Sequence, residues 1–192
     1  MKKRFQGRVW KFGDHIDTDV ITPGKYENLP LEELCRHCLE PIKAAFAHTL
    51  KDNDVLVAGV NFGCGSAREI APRALKKLKI GAVVAKSFSR TFFRNAIAIG
   101  LPVLISPQAF EACHEGDRVM IDLAHSRLKN MTTKKAVPVD PIPKDIYGIL
   151  LSGGLFASLR KKRRLKPKAR SRSAAVPMGT QSKRIQRQGG RG

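Results

Sequence analysis

The sequence is poor in acid. Its 192 residues hold 16 Asp and Glu against 36 Lys and Arg, a formal net charge of +20. Aromatics make up 6%, with one Trp and two Tyr. No run of about eighteen apolar residues occurs, which excludes a helical membrane span. No apolar region follows the basic Met1–Arg8, so a secretory signal is not expected and the chain is placed in the cytoplasm. Cysteine is limited to Cys35, Cys38, Cys64 and Cys113, too few and too dispersed for a disulfide scaffold, and reduced thiols are expected. Cys35-Arg36-His37-Cys38 has no second Cys-x-x-Cys partner, and the five histidines show no ligand spacing, so no metal site is assigned to this chain. The Lys-Ser/Thr ending of a P-loop and the Gly-x-Gly-x-x-Gly spacing of a dinucleotide fold are both missing.

The positive charge is concentrated at one end. Residues 160–192 contain 13 Lys or Arg and no acid, leaving +7 on residues 1–159. With little apolar content after Leu165, residues 161–192 read as a basic, disordered tail, and residues 1–160 as one domain. The tail offers a nonspecific polyanion-binding arm, and a nucleic-acid-binding module is the competing functional class.

Strand and helix patterns alternate along the body. Residues 5–12 read as a strand, 13–24 as a polar loop, Leu31 to about Ile42 as a helix with Pro30 suited to its first turn, and 43–49 as a second short helix. Strand 55–58 precedes helix 68–78, strand 82–85 precedes a helix from Ser89 to Gly100, and strand 102–105 follows. Residues 107–114 read as a helix, 117–138 as short β segments, and 143–151 as the last helix. This order predicts an α/β fold with parallel crossovers in a helix-covered, mostly parallel sheet.

The most informative stretch is Gly63-Cys64-Gly65-Ser66-Ala67-Arg68-Glu69-Ile70-Ala71, a glycine-rich turn between the strand at 55–58 and a helix. Glycines allow close backbone approach, helix-opening N–H groups attract anions, and an arginine can grip a carboxylate bidentately. The simpler reading of an isolated Ser66-x-x-Glu69 is a capping box.

Three segments in order, Gly13-Asp14-His15-Ile16-Asp17-Thr18-Asp19-Val20-Ile21-Thr22-Pro23, Asn61–Glu69 and Ser87-Phe88-Ser89-Arg90-Thr91-Phe92-Phe93-Arg94-Asn95-Ala96, resemble the small subunits of 3-isopropylmalate dehydratase and homoaconitase-type hydro-lyases. The resemblance spans roughly residues 5–160 and excludes the tail. It implies an aconitase-type swivelling β/β/α domain that carries no cofactor and works with a large subunit holding a [4Fe–4S] cluster, in a heterodimer or heterotetramer acting in leucine biosynthesis. By the same resemblance, Ser66 matches the catalytic base, removing as an alkoxide a proton from carbon next to a carboxylate. Asp19 matches the acid of a Thr-Asp motif and is grouped with Ser66 in catalysis. Arg68 matches the substrate-carboxylate arginine, with Gly65, Thr18 and Asn28 as further substrate-binding positions. Arg90 and Arg94 match supporting or interface positions. Ala67 departs from the family's frequent Ser-Ser-Arg. In the loop after Pro23, Tyr26-Glu27-Asn28-Leu29 replaces the usual Tyr-Leu-Arg-Thr or Tyr-Leu-Val-Met. Asn28 thus stands where an arginine would pair with an extra substrate carboxylate, which argues against homoaconitate. Isopropylmalate is the leading 2-hydroxy acid, with homoaconitase-type and methylmalate-type substrates as alternatives.

Overall fold

Continuous apolar runs build the centre of the molecule, seen in a computed structural model that describes residues 3–165. Strands β2 (Val55–Ala58) and β3 (Ala82–Ala85) are buried at every position, as expected of parallel strands covered on both faces. Their side chains alternate between two layers. Leu56, Ala58, Val83 and Ala85 join a core with Trp10, Phe46, Phe62, Leu75 and Phe92. Val55, Val57, Ala82 and Val84 face Phe5, Val9, Leu104 and Ile121 on the other side.

The chain order is β1 (Arg4–Lys11), α1 (Thr18–Ile21), α2 (Leu31–Leu34), α3 (Phe46–Thr49), β2, α4 (Ile70–Lys77), β3, α5 (Arg90–Ile99), β4 (Val103–Ile105), α6 (Pro107–Ala112), β5 (Arg118–Asp122), β6 (Arg127–Asn130), β7 (Ala136–Pro138), α7 (Lys144–Ser152) and α8 (Leu155–Leu165). Spatially the seven-stranded sheet runs β4-β3-β2-β1-β5-β6-β7. The β1–β2, β2–β3 and β3–β4 pairs are parallel, whereas β1–β5, β5–β6 and β6–β7 are antiparallel. The sheet is therefore mixed, its parallel half as expected and its other half a meander. Strand β1 joins the halves: Val9–Lys11 pair with β2, while Arg4–Arg8 pair with β5.

Local chemistry explains the sharper boundaries. Ser89 caps α5 by accepting from Phe92 N–H, and Ser106 caps α6 by accepting from Ala109 N–H. Asp54, 2% exposed, accepts from Trp10 Nε1, Arg8 N–H and Lys51 N–H at 2.9–3.0 Å, tying β1 to the start of β2.

Several expected boundaries move. The loop at 13–24 contains a helical turn, α1, because the Asp17 carboxylate accepts from Asp19 N–H at 2.7 Å and caps it. The expected helix 31–42 stops at Leu34 and continues only as a 3₁₀ turn, Cys35–His37, with Pro30 at the N-cap and not in the first turn. The helix expected from Lys43 begins at Phe46, and that expected to reach His114 ends at Ala112. The helix after the glycine-rich turn starts at Ile70, two residues later than expected. Residue 151 does not close the last helix, because α8 follows Gly153-Gly154 and carries the basic run into Leu165. The disordered tail is expected from residue 161; residues 161–165 instead end α8, and residues 166–192 lie outside the described residues.

One polar anchor of the antiparallel half invites a stability test. Asp122 pairs with Arg4 and with His125 Nδ1 (2.9 Å), and accepts from Ala124 N–H. Burial pushes its carboxyl up, but hydrogen bonds from Arg4 and His125 outweigh this and hold it well below the usual carboxylate range. Its stabilisation is thus complete above the unfolded carboxyl pKa and disappears as pH falls toward the lower folded value. Asp122→Asn is expected to cost about 1–2 kcal/mol at pH 7. In urea titrations at several pH values, the gap to the parent protein should close below about pH 4; a gap unchanged down to pH 2 would refute this account.

Candidate active site

Three loops that leave the C-terminal ends of parallel strands β1, β2 and β3 converge, as expected for sites of open α/β sheets. His15 N–H donates to Val60 O (2.8 Å), Gly63 N–H to Ile16 O (2.7 Å) and Thr18 N–H to Cys64 O (2.8 Å), joining the first loop to the second. Phe62 N–H donates to Ser87 O, Ser89 N–H to Phe62 O, and Ser89 Oγ to Gly63 O (2.5 Å), joining the second to the third. Phe62 and Phe92 meet edge to face beneath them, with ring centroids 5.2 Å apart.

The glycines serve this close approach. Gly65 has φ +89°, and a Cβ there would lie 2.3 Å from the Asp17 carboxylate. Gly63 has φ +74° and its Cβ would enter the Phe92 ring. Any larger residue would push the Ser66 loop away from α1 and α5.

Ser66 is exposed, and its hydroxyl lies 3.2 Å from that of Thr18, a residue only 1% exposed overall. The capping box does not form. Helix α4 has Glu69 as its N-cap and no side-chain cap bond, so the Ser66 hydroxyl is free of that duty. Ser66 and Arg68 precede the helix and are not in its first turn, so Arg68 and not helix-opening N–H groups provides the positive charge here. Arg68 Nη1 lies 3.0 Å from Asp19 Oδ1 and 3.2 Å from Glu27 Oε2. It is shielded from solvent, yet it makes no well-aligned hydrogen bond to either carboxylate. The guanidinium is held by attraction and keeps donor capacity for a better-matched acceptor.

Of the residues singled out in the sequence, Ser66, Thr18, Gly65, Arg68 and Asp19 come together. Asn28 is exposed on the loop following the 3₁₀ turn Gly24–Tyr26. Arg90 and Arg94 are exposed one turn apart on α5, whose N-cap Ser89 holds the Gly63 carbonyl. Two participants were missed. Asp17 caps α1 and fills the space over Gly65, and an Asp just before Thr-Asp-Val-Ile is a readable N-cap signal. Glu27 reaches Arg68 through the fold alone, and no local pattern announces it.

The cysteines are packing groups. Burial, then the neighbouring Asp17 charge, push the Cys64 thiol up and keep it protonated. Cys35 and Cys38 are buried beside α4, where Cys35 Sγ donates to Ala74 O (3.6 Å). A hydrogen bond from Cys38 lowers the Cys35 thiol and raises that of Cys38. Among the described residues, no three His, Cys, Asp or Glu side chains gather as a metal site.

The chain is similar to known proteins. Residues 15–108 match the model of the aconitase C-terminal domain. The 3-isopropylmalate dehydratase small subunit of Aquifex aeolicus is 45% identical over 164 residues, covering 84% of this chain and 98% of the relative. Small subunit 1 of the same enzyme from Thermotoga maritima is 48% identical over 158 residues, covering 81% and 95%. The crystal structure of a 3-isopropylmalate dehydratase from Methanocaldococcus jannaschii superposes with a TM-score of 0.79 at 41% identity, covering 84% of this chain and 96% of that one.

Proposed function

The chain belongs to the 3-isopropylmalate dehydratase small-subunit family, and from that membership we propose that Ser66 and Arg68 are its contribution to a shared active site. The protein is the small subunit of a hydro-lyase of leucine biosynthesis, an assignment carried by relatives matched over nearly their full length. The observation supporting the residue roles is an exposed Ser66, its hydroxyl hydrogen-bonded to that of Thr18, near an arginine with spare donor capacity.

Dehydration of a 2-hydroxy diacid breaks a C–H bond next to one carboxylate and a C–O bond at the neighbouring carbon, forming a double bond and water. Ser66 Oγ, as an alkoxide, takes the proton. Thr18 Oγ1–H donates to that oxygen and stabilises its charge. Arg68 turns from Asp19 and Glu27 to a substrate carboxylate and fixes the diacid over Ser66. Asp19 steers the guanidinium. A hydroxyl and guanidinium donor set, with its nearby thiol kept protonated, fits a chain that presents substrate to a cluster held elsewhere. A [4Fe–4S] cluster on the large subunit supplies, when bound, the Lewis acid for the departing hydroxyl. Arg90 and Arg94, exposed beside the loops, meet the large subunit, and the assembly works in the cytoplasm.

The reading is tested by reconstitution. Full-length chain mixed with its iron–sulfur large subunit should dehydrate 2-isopropylmalate, and neither chain alone should do so at a comparable rate. An inactive mixture that nonetheless forms the complex would overturn the substrate assignment, and homologous diacids would then be screened.

Glu27 gives a second, smaller expectation. Its carboxylate occupies the guanidinium that the substrate needs. Both groups are partly solvated, so Glu27→Gln should lower KM about two- to fivefold with kcat little changed. A raised KM would show that Glu27 positions Arg68 instead of competing for it.

A further inference from the structure

The solvent face of the antiparallel half-sheet carries a second site. At the Arg4 end of β1, a concavity of 560 Å³ opens over β5, β6 and the β6–β7 turn. It lies about 23 Å along β1 from the end that feeds the Asp17–Thr18 loop of the candidate active site, at roughly 3.3 Å per residue. Cross-strand register places its side chains on rigid backbone: Arg4 opposite Asp122, Asp122 opposite Arg127, and Met120 opposite Lys129. Lys134 joins them from the β6–β7 turn. That turn is pinned by Asn130, fully buried, whose side-chain carbonyl accepts from Thr132 and Thr133 N–H.

Charge on this surface is one-sided. Asp122 is the acid lining the concavity, and it is consumed by Arg4 and His125. Among the described residues, Arg127, Lys129 and Lys134 have no recorded ion pair with a carboxylate, so their charge faces the opening uncompensated. The buried carboxylate stays ionised and fixes two cation-forming groups at the rim, so the site is built and not a set of loose surface lysines. Met120, partly exposed, lies opposite Lys129 and two residues along β5 from Asp122, an apolar floor beside the basic side chains. A volume of several hundred Å³ is in the range of small-molecule sites. An anion filling it would present charge to the basic side chains and an apolar, polarisable group to the thioether. Citrate and other purely polar carboxylates lack the second feature, whereas nucleotides have both.

We propose that this concavity binds nucleotide phosphate, either as a free nucleotide or as a unit of single-stranded nucleic acid. Phosphate oxygens would be held by the basic side chains Arg4, Arg127, Lys129 and Lys134, with the base or sugar over Met120. The site is independent of the dehydratase reading, since it uses none of the residues given a role there.

Calorimetric titration of the full-length chain at fixed ionic strength tests the proposal, with ATP, a ten-residue oligothymidylate, inorganic tripolyphosphate and citrate as separate probes. ATP or the oligonucleotide should bind more tightly than citrate. Arg127→Glu with Lys129→Glu should weaken that binding at least about tenfold, given the strength of charge-assisted bonds. Both positions lie on the solvent face, and an unchanged melting temperature verifies the fold. Lys134→Glu, on the turn, provides an independent second variant that should weaken binding as well. Met120→Ala should weaken ATP but not tripolyphosphate. Tighter binding of the oligonucleotide than of ATP would identify nucleic acid as the source, and the reverse a free nucleotide. Two results would overturn the proposal. One is nucleotide affinity untouched by the face variants but lost when Lys166, Lys168, Arg170 and Arg172 are changed to Gln, which would assign the binding to the tail. The other is equal affinity for citrate and ATP, which marks a nonspecific basic surface.

Discussion

Ser66→Ala in the reconstituted two-subunit enzyme is expected to lower kcat by about 10²–10⁴-fold, the usual contribution of a positioned base, while KM changes little. Geometry supports a clean chemical effect. Ser66 is exposed, and its hydroxyl's side-chain partner is the Thr18 hydroxyl at 3.2 Å. It does not cap α4, so its removal should cost little stability. Assembly with the large subunit, followed by gel filtration, should be unchanged. The substrate's hydroxyl and carboxylates do not depend on Ser66 for binding, so the deficit should appear in proton removal. A solvent-exchange assay of the substrate C–H bond would show it directly. Full activity in the alanine variant would end the assignment of Ser66 as base, whatever the family of the chain. A Thr18→Val variant should show a smaller loss, because it removes one hydrogen bond to the alkoxide and leaves the base in place.

Arg68→Lys is the second large effect. It keeps the charge but discards the planar fork that matches a carboxylate with two parallel bonds. In the unliganded chain Arg68 Nη1 stands near Asp19 and Glu27 without a well-aligned bond to either. Lysine would satisfy those acids at least as well, as a compact point charge, and would have less reason to leave them for substrate. We expect kcat/KM to fall roughly 10²-fold, about 2.7 kcal/mol, with most of the loss in KM. Adding Glu27→Gln to Arg68→Lys should recover part of that loss by removing the competing acid. A KM unchanged by Arg68→Lys would show that substrate carboxylates are gripped elsewhere, on the large subunit.

Sequence patterns with a strong local cause were legible. The runs Val55–Ala58 and Ala82–Ala85 have no polar residue to place in water, and both became fully buried strands. Ser89 with Gly100, and Pro107, marked helix ends that the fold kept. Segments with weaker local preference were misread. Residues 31–42 carry apolar positions at helical spacing, but Leu39 takes φ +56° and its N–H donates to Ile21 O, a tertiary bond that ends the helix early. The last part of helix α8 was hidden by its own charge, since the basic run from Arg160 reads as the start of a tail, whereas it continues a helix whose Ser158, 8% exposed, faces the body.

By itself the sequence determined the alternation of strands and helices across the parallel half of the sheet, the family, and the presence of a serine and an arginine two residues apart in a glycine-rich turn. Those follow from short-range periodicity, turn chemistry and motif order, which act within a few residues and survive in any reading of the chain. Only the tertiary structure decided what those two residues do with their neighbours. It released Ser66 from capping and set it against Thr18, 48 positions earlier. It brought Asp19 and Glu27 onto Arg68, and it assembled the basic face across β1, β5 and β6. Contacts of that separation depend on strand register and loop closure, and no local pattern encodes either.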